Sequence, residues 1–189
     1  MLIFVSGPPG AGKTTLATAI AEQLHLPHVN RDRIYEGLRH AAADPSLPVV
    51  PAGIHAFRVV LENLLREGVS VVADATLYAG TSEPDINCLL EISDALNLHC
   101  EAPAALARFG ARLETDPRRH GYNLDALIEV ARNNLRYTQP PLDVGWETVR
   151  VDTSDGYEPE LTDLVARCRP LPRDLVPLTE APPAASASS

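Results

Sequence analysis

Cysteine is scarce in this chain. Cys88, Cys100 and Cys168 are the only three, an odd count at wide spacing, so neither a disulfide framework nor a paired set of zinc ligands is suggested. They read as small buried or half-buried residues. Basic charge is in deficit too: 16 lysines and arginines face 25 aspartates and glutamates, a formal net charge of -9, which argues against a surface that wraps a polyanion. No apolar run approaches membrane-spanning length, and no basic segment leads into a long apolar stretch, so the expectation is a cytoplasmic protein with no membrane partner. No internal repeat is evident, and nothing legible encodes an oligomeric state. The 189 residues suffice for one sizeable α/β domain with a proper core.

What is present is concentrated near the start. Gly7, Pro8, Pro9, Gly10, Ala11, Gly12, Lys13 and Thr14 fit G-x-x-x-x-G-K-[ST], with the apolar run Leu2 to Val5 before them and Thr15 and the stripe Leu16, Ala19, Ile20 behind. A strand that feeds a glycine-rich turn and then a helix aims backbone N–H groups and a helix N-terminus at one point, which makes an anion site. In that motif Lys13 reaches the outer phosphates and Thr14 offers its hydroxyl to Mg²⁺.

Alternating strand and helix signals follow, the pattern of a parallel sheet covered on both faces. The expected helices run about 13–24, 32–43, 53–66, 83–96, onward from Pro103, 124–137 and 158–167. The expected later strands run about 28–30, 69–73, 97–101 and 148–151. Asp44, Pro45, Pro48 and Pro51 read as a loop over a substrate pocket, residues 116–122 as an interruption of a helix, and 170–189 as a tail that need not fold.

Ligands of such sheets bind beyond the carboxyl ends of the strands, and four places there carry polar residues. Asn30-Arg31-Asp32 ends the second strand, where Asp32 suits a general base for a hydroxyl attacking a γ-phosphate; an N-cap is the equally weighted alternative. Asp74-Ala75-Thr76 ends the third strand, where an acid holds Mg²⁺ or its water. Arg108 and Arg112 share a helix face, and Arg118 and Arg119 follow on a segment whose closure would bring guanidinium groups to a phosphoryl group. Thr153 lies in a loop suited to flank a nucleotide base.

On these residues the chain resembles the small P-loop kinases of the group that includes polynucleotide 5′-kinases, zeta toxins and chloramphenicol phosphotransferases, from Met1 to about Arg169. The resemblance implies a P-loop NTPase fold of α/β class, a three-layer sandwich around a five-stranded parallel sheet of nucleoside-kinase type with a small helical lid at about 114–122. It implies an ATP-dependent, Mg²⁺-dependent kinase with Asp32 as base, a lid supplying arginine, Arg108, Arg112 and Thr153 around the nucleotide, and Thr14 and Asp74 at the metal. The acceptor is expected to be a small hydroxylated molecule (a metabolite, nucleoside or antibiotic) contacted by Asp32, Arg33, Tyr35, Arg39, Asp74 and Thr76. Polynucleotide kinases carry an arginine three residues after that aspartate, where this chain has Tyr35; with the acidic balance, this ranks a nucleic-acid 5′ end second. A nucleotide switch that hydrolyses ATP slowly, with Asp32 merely a cap, is the third reading.

Overall fold

A computed structural model of the chain describes residues 1–41, 48–115 and 123–169. Its first strand, β1 (Leu2–Ser6), is buried throughout and sorts its side chains by alternation. Ile3 and Val5 face a core made with Leu16 and Ile20 of α1 (Lys13–Leu24) and Leu164 of α8 (Leu161–Cys168). Leu2 and Phe4 face the opposite core, with Phe57 and Leu61 of α3 (Val49–Arg66) and Ile86 and Leu89 of α4 (Glu83–Leu90). Phe4 meets Phe57 edge-on at 6.2 Å and Trp146 at 5.6 Å, both within the range of favourable ring pairs.

The sheet adds β2 (His28–Asn30), β3 (Val71–Asp74), β4 (Ala95–Glu101) and β5 (Glu147–Asp152), all parallel, in the order β2-β3-β1-β4-β5. From β1 the chain crosses to the edge strand β2, returns to β3 beside β1, and after β3 passes to β4 and β5 on the other side. That reversal opens a crevice beyond the end of β1, where the glycine-rich loop stands. The expected five-stranded parallel three-layer fold is therefore the observed one.

Several boundaries differ from the sequence reading. Helix α2 covers Arg31–Ala41, and Asp44 and Pro45 lie outside the described residues. Pro48 and Pro51 are not loop: Pro48 is the N-cap of α3 and Pro51 sits in its first turn, where a missing N–H breaks no helical hydrogen bond. Helix α4 stops at Leu90, and β4 starts at Ala95 because Ala95 and Leu96 pair with Leu2 and Ile3. The expected 124–137 helix is divided into α6 (Leu124–Asn133) and α7 (Leu135–Thr138). Helix α5 (Ala105–Thr115) ends within the expected lid, whose remaining residues, Arg118 and Arg119 included, lie outside the described residues, as does the expected tail 170–189. Among the described residues no helix is long and apolar enough to cross a membrane.

Candidate active site

The loop between β1 and α1 is held by contact rather than by side-chain bonds of its own. Gly7, Gly10 and Gly12 all have positive φ. At Gly10 a Cβ would lie 1.9 Å from the Ala105 carbonyl oxygen, and at Gly7 2.4 Å from that of Cys100; only glycine lets the loop lie against the end of β4 and the start of α5. Thr153 completes the clamp: its hydroxyl donates toward the carbonyls of Ala11, at 2.9 Å, and Glu101, at 3.1 Å. Thr153, expected in a loop flanking a nucleotide base, is buried, and its hydroxyl supports the phosphate loop.

Lys13, the chain's only lysine, folds back to donate to the Pro8 carbonyl at 2.8 Å. Burial lowers its pKa to about 8, while the carboxylates of Asp32 and Asp74 oppose that shift and the Arg31 guanidinium adds to it. A desolvated ammonium group at a ring of backbone N–H groups gains strongly when phosphate replaces the lost water.

Beside it lies a four-residue polar network. Thr14 Oγ1 donates to Asp74 Oδ2 at 2.7 Å, Asn30 Nδ2 reaches both Asp74 oxygens at 2.8 Å, and His28 Nε2 stands 2.7 Å from Asp74 Oδ1. Asp74 is 2% exposed. Burial works against its charge, yet the hydrogen bonds from His28, Thr14 and Asn30 prevail and hold the carboxyl below its ordinary range. A hydroxyl and an ionised carboxylate 2.7 Å apart are oxygen donors that Mg²⁺ accepts together with phosphates and water; the pair Thr14 and Asp74 fits that ion. Neither His28 nor Asn30 was singled out from sequence as a partner of Asp74, which is 46 and 44 residues away.

Asn30 also settles the capping alternative. Its Oδ1 accepts from the Arg33 N–H at 2.7 Å, so the N-terminus of α2 is capped by Asn30 and Asp32 lies in the first helical turn, exposed. Asp32 borders a cavity of about 300 Å³ between α2, α3 and the segment after β3. Of the expected acceptor contacts, Asp32 and Tyr35 line it; Arg33, Arg39, Asp74 and Thr76 do not. Arg33 and Arg39 are exposed, and Asp74 belongs to the buried network instead. Arg31, Phe57, Leu77, Tyr78 and Asp85 complete much of the wall. Arg31 had only its place in the Asn-Arg-Asp triplet to recommend it.

The two arginines of α5 make different contacts. Arg108 donates to the carbonyls of Thr153, at 2.9 Å, and Ser154, at 2.6 Å, bridging α5 to the loop after β5, and the Arg112 guanidinium lies 5.7 Å from the Phe109 ring centre. A wider hollow of about 480 Å³ opens on the β4–β5 side of the loop, against Pro8, Pro103 and Asp152.

The sequence profile of an AAA domain matches residues 2–122. The chain belongs to this family of P-loop kinases. Shikimate kinase of Bacteroides fragilis is 32% identical over 142 residues, spanning 73% of this chain and 78% of that enzyme. Among solved structures, a presumed kinase of Chloroflexus aurantiacus j-10-fl superposes with a TM-score of 0.71 at 24% identity, covering 88% of this chain and 95% of that one. Kti12 of Chaetomium thermophilum, solved with ADP-AlF3, gives 0.64 at 17% identity, covering 88% and 96%. This P-loop kinase is thus a phosphotransferase with an alcohol group as acceptor; its family generally uses ATP and Mg²⁺.

Proposed function

We propose that the chain moves the γ-phosphoryl group of ATP to a hydroxyl of a small molecule seated in the cavity beside Asp32. The observation that carries this reading is the position of Asp32: it borders the cavity, its charge reaches Lys13, and Asn30 has relieved it of capping. Asp32 accepts the acceptor's hydroxyl proton as that oxygen bonds to the γ-phosphorus, and the bond from phosphorus to the bridging oxygen breaks to release ADP. Lys13 and the loop N–H groups neutralise charge on the phosphates, and Arg31 lies on the cavity side of Lys13, where it meets the transferring group. Thr14 and Asp74 would hold Mg²⁺, which would supply charge neutralisation at the phosphates. Arg112, and Arg118 beyond the described residues, remain the lid arginines of this proposal.

Size supports a small acceptor over a polynucleotide end. About 300 Å³ lies at the low end for ligand pockets. Arg33 and Arg39, which a nucleic-acid strand would have to follow, are outside it. The test is Mg²⁺-dependent ADP release from ATP across a panel of small alcohols, nucleosides and 5′-hydroxyl oligonucleotides, with Lys13→Ala beside the parent. Stimulation by a small alcohol, lost by at least about a hundredfold in Lys13→Ala, is expected. Stimulation by oligonucleotides alone, or acceptor-independent hydrolysis alone, contradicts the proposal.

A further inference from the structure

The cavity beside Asp32 has a charge balance that narrows its occupant. Three ionisable side chains other than tyrosines line it: Arg31, Asp32 and Asp85. Arg31 is the only cation among the described lining residues, and its field reaches both Lys13 and the Tyr78 hydroxyl, which places it toward the phosphate loop. Asp32 is on that side too, since it acts on the same two groups. At the other end Asp85 has its own counter-ion: Arg58 Nε lies 3.3 Å from Asp85 Oδ1, and Arg58 also pairs with Glu62. Asp85 is therefore matched by Arg58, and Arg31, the single lining arginine, stands near Lys13.

Between these ends the walls are apolar and largely aromatic: Tyr35, Phe57, Leu77 and Tyr78, with Ile54 at 37% exposure extending that surface outward. Apart from Arg31, a carboxylate or phosphate on the acceptor would find here only the hydroxyls of Tyr35, Tyr78, Thr81 and Ser82 and no further lining cation, and it would lie beside Asp32 and Asp85, a disfavoured transfer. An apolar ring would find matching apolar and aromatic surface there.

Resting on the phosphotransfer reading, we propose that the acceptor is an uncharged alcohol with a ring-like apolar body, not a hydroxy acid or a sugar phosphate. The enzyme would in this respect differ from the shikimate kinase to which its sequence is similar. Its ring occupies the Tyr35–Phe57–Tyr78 region and its hydroxyl faces Asp32.

The experiment uses matched pairs differing in one charge: shikimate with its methyl ester, and 4-(hydroxymethyl)benzoate with 4-methylbenzyl alcohol. Binding is read by thermal shift and calorimetry in the presence of MgADP, and transfer is read separately with MgATP. The neutral member of each pair should bind at least about tenfold more tightly to the parent chain, and Ile54→Arg, which adds a cation at the mouth, should narrow or reverse that ratio. Equal or tighter binding of the carboxylates by the parent overturns the proposal, as does the failure of every neutral member to bind at millimolar concentration. Preferential binding of neutral members with no phosphoryl transfer upholds the chemistry of the cavity and overturns the phosphotransfer reading alone.

Discussion

His99 shows how a single side chain ties the sheet to the segment beyond α7. It is 2% exposed, with Nδ1 2.8 Å from the Ser6 hydroxyl and Nε2 2.7 Å from the Gln139 carbonyl. A carbonyl only accepts, so Nε2 carries a proton, while the Ser6 hydroxyl also donates to Asn97 Oδ1 at 2.8 Å. Burial lowers the His99 pKa below its ordinary 6.5. The unfolded chain consequently takes up that proton first as pH falls: the stabilising contribution is complete above about 6.5 and is lost progressively below it. Melting temperature should decline between pH 7 and 5 in the parent, and His99→Gln should flatten that decline while starting lower at pH 7. An unchanged slope in the variant would remove His99 from this role. Such pairings were invisible in the sequence because Ser6 and His99 are 93 residues apart and nothing local marks them. Asp32 and Asn30 teach the same lesson at short range: both suit an N-cap, and the choice between them depended on where the strand ended.

At the scale of elements, the phosphate loop was legible because its residues are contiguous and each glycine has a geometric cause. Two substitutions separate those causes. Gly10→Ala meets the Ala105 carbonyl at 1.9 Å and has φ +83°, whereas a Cβ at Gly12 finds its nearest neighbour, Thr153, at 3.6 Å with φ +79°. Both carry the left-handed penalty of about 1–2 kcal/mol, and Gly10→Ala adds a backbone clash worth about 1–3 kcal/mol more. Urea denaturation should rank Gly10→Ala well below Gly12→Ala in midpoint with similar slopes; equal midpoints would mean the loop does not bear on α5. The boundaries that escaped sequence reading have equally local causes. Ile92 continues an apolar stripe past the true end of α4, and only pairing with β1 reveals that Ala95 is already strand. Pro48 and Pro51 read as loop punctuation because proline suits a loop and a first helical turn alike.

For the whole molecule, the alternating pattern of strands and helices was enough to specify the layered parallel sheet, and the Chloroflexus structure shares it at a TM-score of 0.71. Burial of the thiols was only partly legible. Cys100 and Cys168 are fully buried and their pKa values are pushed up to about 12 by that burial, but Cys88 is exposed on α4, contrary to the expectation that all three are at least half-buried. A native chain should therefore release one equivalent of thionitrobenzoate rapidly from Ellman's reagent and the remaining two only on unfolding; rapid reaction of more than one thiol would contradict the packing of β4 and α8. The acceptor region was partly legible: Asp32 and Tyr35, expected at the acceptor, do line it, but the wall is assembled from α2, α3 and the turn before α4, and residues such as Leu77 look like ordinary core in sequence.

The central claim, that Asp32 acts on the acceptor rather than on the fold, is tested most directly by Asp32→Asn. Because Asn30 caps α2, the substitution should leave stability unchanged. The measurement is acceptor-dependent ADP release at saturating MgATP, with nucleotide affinity determined on the same preparations. Turnover reduced by about a hundredfold or more, with nucleotide affinity within about twofold of the parent, is the result expected for loss of a general base. Parent-like turnover in Asp32→Asn would contradict the account.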